Sequence, residues 1–182
     1  MTYEVFKTKL PEVLILTPKI FKDTRGYFFE SFNQKKFNKA TDLKVKFVQD
    51  NRSKSKKNVL RGLHYQIFKP QGKLISVTYG KIFDVVVDIR ENSRTFGKWI
   101  GVIISDKNKK QLWVPKGFAH GFVAISETAE LLYKTTEYWH PNYEKCIIWN
   151  DKDLKIKWPI KNPIISPKDK LGKNFKNAKV FK

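Results

Sequence analysis

The run Leu60-Arg61-Gly62-Leu63-His64-Tyr65-Gln66 places a titratable ring inside an alternating, strand-like stretch, beside a cation, a glycine and an amide. A histidine held on a rigid strand among polar neighbours is one way to build a general base working near neutral pH. The plainer reading is a core histidine bonded to a backbone carbonyl. Other residues add weight to the chemical reading. Arg25 and Glu30 flank Tyr27-Phe28-Phe29, and Phe28 and Glu30 share one face of a strand. Gln49 and Asn51 share another face. Lys73 opens a strand after Pro70-Gln71-Gly72, His120 stands between glycines and aromatics, and Tyr133-Lys134 follows an apolar pair. Taken singly, each has a structural reading as core residue or rim ion pair. If the faces converge, they make a concave site of cations, amides and aromatics, suited to a planar ring, a diphosphate and a sugar.

Metal chemistry is the competing reading. His64, His120 and His140 are the three histidines, and three imidazoles can hold iron or zinc. The position two after His64 is Gln66, a poor ligand, and His140 precedes Pro141 in an expected turn. No metal and no other cofactor is expected; a Gly-rich dinucleotide loop is absent from the sequence.

The elements that must position these residues read as strands. Expected strands are Val13–Thr17, Gly26–Phe32, Lys44–Gln49, Val59–Gln66, Lys73–Tyr79, Ile82–Ile89, Trp99–Ser105, Gln111–Val114, Ala119–Ile125, Glu130–Tyr138 and Lys145–Trp149. They are short, rich in β-branched and aromatic residues, and separated by turn residues. Many short strands at regular spacing point to an all-β sandwich or barrel. One helix, Gln34 to Asn38, is expected behind Asn33 as N-cap. After Asp151, Pro159, Pro163 and Pro167 break the pattern. The expectation there is an irregular segment lying across the barrel, with Lys170–Lys182 mobile.

The 182 residues suggest one domain, spanning 1–182. With 41% hydrophobic residues the chain can fill a core, and no apolar run approaches a membrane helix. The N-terminus has no signal-peptide pattern, and the single cysteine, Cys146, excludes an intrachain disulfide. A cytoplasmic protein is expected. The net charge of +20 raises nucleic acid or another polyanion as a partner. The lysines are scattered, however, and no RNA-binding aromatic signature or zinc spacing accompanies them. Neither nucleic acid nor membrane is expected as a partner.

Several blocks together resemble a known family. They are Arg25-Gly26-Tyr27-Phe28-Phe29-Glu30, Val59 to Gln66, Gln71-Gly72-Lys73-Leu74, Phe83 to Arg90, Gln111 to Phe122, Leu132-Tyr133-Lys134 and Ile148-Trp149-Asn150-Asp151. In order, from about Val13 to Asp169, they are similar to the dTDP-4-dehydrorhamnose 3,5-epimerases. The resemblance implies a homodimeric cupin-type jelly roll with short peripheral helices, working without a metal. It implies inversion at C3 and C5 of dTDP-4-dehydro-6-deoxy-D-glucose. His64 matches the base, Asp169 its orienting carboxylate, Tyr133 the opposing acid and Lys73 the cation near the C4 oxygen. Arg25, Phe28, Glu30, Gln49, Asn51, Arg61, His120, Tyr138, Glu144 and Lys168 match substrate-binding positions, the first three reaching across the dimer. The chemistry agrees: protons at C3 and C5 are both α to the C4 ketone, so removing either needs a base, an opposing acid and an oxyanion partner. One departure is Tyr138-Trp139, where the family often has Tyr-Tyr. It leaves a 3- or 5-mono-epimerase of a related sugar as the alternative.

Overall fold

The computed structural model describes residues 3–182. The strands are β1 (Glu4–Lys7), β2 (Leu14–Thr17), β3 (Phe21–Asp23), β4 (Gly26–Phe28), β5 (Gln49–Lys56), β6 (Val59–Gln66), β7 (Lys73–Tyr79) and β8 (Lys81–Asp88). They continue with β9 (Trp99–Ser105), β10 (Gln111–Val114), β11 (Phe118–Ala124), β12 (Thr128–Thr135), β13 (Glu144–Cys146) and β14 (Ile164–Ile165). The helices are α1 (Gln34–Thr41) and α2 (Pro167–Lys170). One sheet runs β1-β2-β10-β7-β12-β5; the other runs β13-β6-β11-β8-β9, with β14 beside β6. Nearly all pairings are antiparallel, and β3 and β4 form a separate hairpin. This is the expected all-β, jelly-roll architecture with short helices.

The central core lies between the two sheets. Ile75, Val77, Leu112, Val114 and Leu131 of the first meet Ile82, Val86, Ile100, Ile104, Phe118 and Phe122 of the second. Alternation along β8 sends Val86 into this core, and Val85 and Val87 to the opposite face. There a second apolar layer forms, closed by Leu154, Trp158, Phe175, Val180 and Phe181 of the C-terminal segment. β8 is therefore buried on both faces, which is why it reads as a continuous apolar run. On the outer face of the first sheet, Phe37 of α1 packs on Leu14, Leu16, Leu74 and Trp113.

Four expectations need correction. The strand expected over Gly26–Phe32 ends at Phe28, so Glu30 lies outside it. Lys44–Gln49 is not a strand; its Val45 and Phe47 pack beneath α1, and the strand begins at Gln49. The helix continues past Asn38 to Thr41, with Asn33 as N-cap accepting the Lys36 N–H. The C-terminal segment is tied down rather than loose. Phe181 N–H donates to Ile89 O at 3.0 Å, Lys173 N–H to Cys146 O at 2.9 Å, and Tyr65 Oη–H to Lys179 O at 2.7 Å. Aromatic burial and these backbone bonds hold a segment whose composition alone reads as mobile.

Candidate active site

His64 and His120 are directly opposed on β6 and β11. The two strands approach closely at Gly62 and Gly121. A Cβ on Gly62 would lie 2.6 Å from Gly121 Cα, and Gly62 has φ +119°, open only to glycine at low cost. The pairing register slips between His120 and Phe122. Irregularities of this kind are commonly found beside sites, where they re-aim side chains.

Each histidine has its own carboxylate. His64 Nε2 lies 2.6 Å from Asp169 Oδ1, while Asp169 Oδ2 accepts the Gly62 N–H at 3.2 Å. Asp169 sits in α2, whose N-cap Ser166 accepts the Asp169 N–H. Burial alone would raise the Asp169 pKa. The His64 hydrogen bond and charge, with the Gly62 N–H and Ser166, outweigh it and hold the group below the usual carboxylate range. Asp169 is thus an acceptor, the Nε2 proton belongs to His64, and the ring's lone pair resides on Nδ1. His120 Nε2 lies 2.8 and 3.0 Å from the two oxygens of Asp84, which is wholly buried on β8.

Both rings line a cavity of roughly 240 Å³, together with Ser53, Arg61, Lys73, Ile75, Phe122, Leu131 and Tyr133. Burial pulls the Lys73 ammonium down to about 8, against the opposing pull of Glu144 and Asp84. Burial, then the nearby Glu144 charge, raises the Tyr133 phenol, with Arg61 acting the other way. Tyr133 therefore holds its proton throughout the neutral range. Arg61 is braced by Ser55 Oγ at 3.1 Å and the Lys54 carbonyl at 3.2 Å.

A second group gathers close by. Glu144 pairs with Lys168 and accepts the Trp139 Nε1–H at 3.4 Å. Burial would raise the Glu144 pKa, but Lys168, His64 and Trp139 together hold it low. Gln49 Nε2 donates to Asn51 Oδ1 at 2.9 Å, and Gln49 Oε1 accepts the Trp139 N–H. Tyr138 is exposed beside them.

Arg25, Phe28 and Glu30 do not line the cavity. Arg25 pairs with Asp23 at 2.6 Å with its side chain 88% exposed, and Phe28 on the hairpin is 64% exposed. Glu30 pairs with Lys36 at 2.7 Å. The three histidines do not converge either. His140 packs against Tyr143, with Glu137 at 3.9 Å. Two polar residues escaped the sequence reading, one lining the cavity and one behind it. Ser53 continues the Gln49–Asn51 face of β5, and its buried Oγ has no hydrogen-bond partner among the described residues. Asp84 is a charge inside the apolar run of β8. Alternation in the first case, and a lone charge among valines in the second, were the available signals.

Comparison with known proteins identifies this arrangement. The chain is 58% identical over 167 residues to the dTDP-4-dehydrorhamnose 3,5-epimerase of Salmonella typhimurium, covering 91% of each. It is similar to the crystal structure of a Legionella pneumophila dTDP-6-deoxy-D-glucose-3,5-epimerase in complex with dTDP-4-keto-L-rhamnose. That likeness has a TM-score of 0.94 and 48% identity, covering 97% of this chain and 95% of the other. A Streptomyces bikiniensis 3'-monoepimerase in complex with dTDP-quinovose is more distant, with a TM-score of 0.88 and 28% identity, covering 93% and 87%. The family model for dTDP-4-dehydrorhamnose 3,5-epimerase matches residues 7–177, and the chain belongs to that family.

Proposed function

We propose that this protein is an isomerase that inverts C3 and C5 of dTDP-4-dehydro-6-deoxy-D-glucose, giving dTDP-4-dehydro-L-rhamnose in dTDP-L-rhamnose biosynthesis. The observation that carries the reading is one cavity lined by His64, backed by Asp169, together with Lys73 and Tyr133. His64 Nδ1 takes a proton from the carbon next to the C4 ketone. The electron pair moves onto the C4 oxygen, where the Lys73 ammonium stabilises the enolate. Tyr133 returns a proton to the carbon from the opposite face; the phenolate is then reprotonated from solvent and the His64 imidazolium gives its proton up to solvent. Repeating the cycle at the other α-carbon completes the double inversion. Asp169 steadies the imidazolium formed in each cycle.

Arg61, His120, Gln49, Asn51, Glu144 and Lys168 supply the cations and polar groups for the nucleotide, diphosphate and sugar, with Tyr138 as an aromatic face. The net charge of +20 draws a dianionic ligand toward them. We place Arg25, Phe28 and Glu30 in the site of a second copy, so the working form is a homodimer. The exposed Phe21, Tyr27 and Phe28 of the hairpin support this, since clustered exposed aromatics mark contact surfaces. We read residues 1–182 as one working unit, because the C-terminal segment closes a core layer of the second sheet. Cytoplasmic localisation accords with the single free cysteine. No helix among the described residues is long and apolar enough to cross a membrane.

Proton NMR of the substrate in D2O tests the reading. Deuterium should enter at both C3 and C5, and both carbons should invert. Inversion at one carbon alone, even at long times, would make the protein a mono-epimerase.

A further inference from the structure

Cys146 has no part in this proton transfer, yet its thiol lies beside the base. β13 runs antiparallel to β6, and Cys146 stands directly opposite His64. Opposed residues of an antiparallel pair put their side chains on the same face. Asp169 approaches from α2. One donor atom from each of His64, Cys146 and Asp169 lies within 4.8 Å of the other two. No other group of three or more such side chains among the described residues meets that condition.

The backbone holds the three donors in place. Lys173 N–H donates to Cys146 O at 2.9 Å, and Ile148 N–H to Lys173 O at 2.9 Å. These bonds stitch β13 to the segment that follows α2. Asp169 in turn is tied to β6 through the Gly62 N–H. The site is reachable, because the His64 side chain is 26% exposed and Cys146 is half-buried. An imidazole, a thiolate and a carboxylate are the donor types that zinc and its neighbours prefer.

We propose that His64, Cys146 and Asp169 form an inhibitory site for a borderline-soft divalent cation such as zinc. Binding exchanges the Cys146 S–H proton, released to solvent, for a metal–sulfur bond. The imidazole and the carboxylate coordinate without further proton loss. The cation takes Nε2, the ring nitrogen that faces Asp169. The proton it displaces moves to Nδ1 and fills the lone pair that removes the substrate proton, and Asp169 loses its hold on the ring. Epimerisation then stops. The inhibition rests on the epimerase reading; the binding does not.

The test uses the full chain, stripped with chelator, and two readouts. Cobalt chloride reports binding through a thiolate-to-cobalt absorption band. Zinc chloride titrated into the deuterium-exchange assay reports inhibition. Wild type should show the band with one equivalent of cobalt. Cys146→Ser and Cys146→Ala should lack it, keep metal-free activity, and need at least on the order of 10–100-fold more zinc for half inhibition, the cost of losing even an outer-shell partner of a metal. Matching thermal melts of the variants show that they fold. Absence of the band in wild type, its persistence in Cys146→Ala, or equal zinc sensitivity of all three proteins would overturn the site. If the band forms in wild type and vanishes in the variants while the metal-free protein exchanges no substrate protons, the site stands and the epimerase reading fails.

Discussion

His64 and Tyr133 divide one reaction between two faces of a sugar, and substitution can separate them. His64→Asn should reduce deuterium entry at C3 and C5 by about 10²–10⁴-fold. It should leave dTDP binding, read by calorimetry, close to wild type. Tyr133→Phe keeps the ring but removes the donor, so NMR should show inversion falling more than exchange; equal loss of both would assign Tyr133 to binding. Lys73 sets the alkaline limit. With its pKa pulled down to about 8 by burial, it is charged below that pH and neutral above it. The rate should therefore decline as pH rises through about 8. Lys73→Met should lose about 10²–10³-fold, the typical cost of removing an oxyanion partner, and lose that alkaline limb as well. His64, Lys73 and Tyr133 were legible because base, cation and acid types stood out within apolar strands. Asp84 and Ser53 were not: a buried charge acquires meaning only when its partner, His120, is seen across the strand pair.

At the scale of elements, the β6–β11 pair fixes the catalytic geometry, and its closeness depends on two facing glycines. Gly62→Ala would drive a Cβ to within 2.6 Å of Gly121 Cα and 2.7 Å of His120 O, at a φ that disfavours any side chain. The strain should cost about 1–3 kcal/mol and lower the melting temperature by several degrees. Because the contact is at His120, substrate affinity should fall as well, whereas a merely destabilised protein would bind normally well below its melting point. Apolar strands such as β8 and β11 were readable from their runs of buried residues. β5, with sequence QDNRSKSK, was missed because its inward positions are polar. Gln49, Asn51, Ser53 and Ser55 face the site side of the sheet while charged residues face outward, so function erases the apolar alternation that betrays a strand. The C-terminal segment was misread for the opposite reason. Its lysines and prolines suggest mobility, but Trp158, Phe175 and Phe181 dock it on the second sheet.

At the scale of the whole molecule, two of the ten expected substrate-binding residues, Arg25 and Phe28, face solvent on a hairpin. An exposed Phe28 and an Arg25 bonded only to its neighbour Asp23 contribute little to the stability of one protomer. Phe28→Ala should thus leave the fold of each protomer intact, with an unchanged circular dichroism spectrum. It should remove most of the rise in melting temperature that dTDP produces by binding the native state. Strand-face reading singled these residues out, but only the family resemblance implied that they reach across a dimer; no pattern within one chain reveals a residue whose partner lies on another. A mixing experiment decides whether the site is shared. His64→Asn and Phe28→Ala are each expected to be nearly inactive alone. In a mixed dimer built on two-fold symmetry, one site inherits both defects and the other inherits neither. Random re-pairing of equal amounts should then restore about a quarter of wild-type activity. If Phe28 served the site of its own protomer, every site in the mixture would carry one defect, and activity would stay at the level of the separate variants.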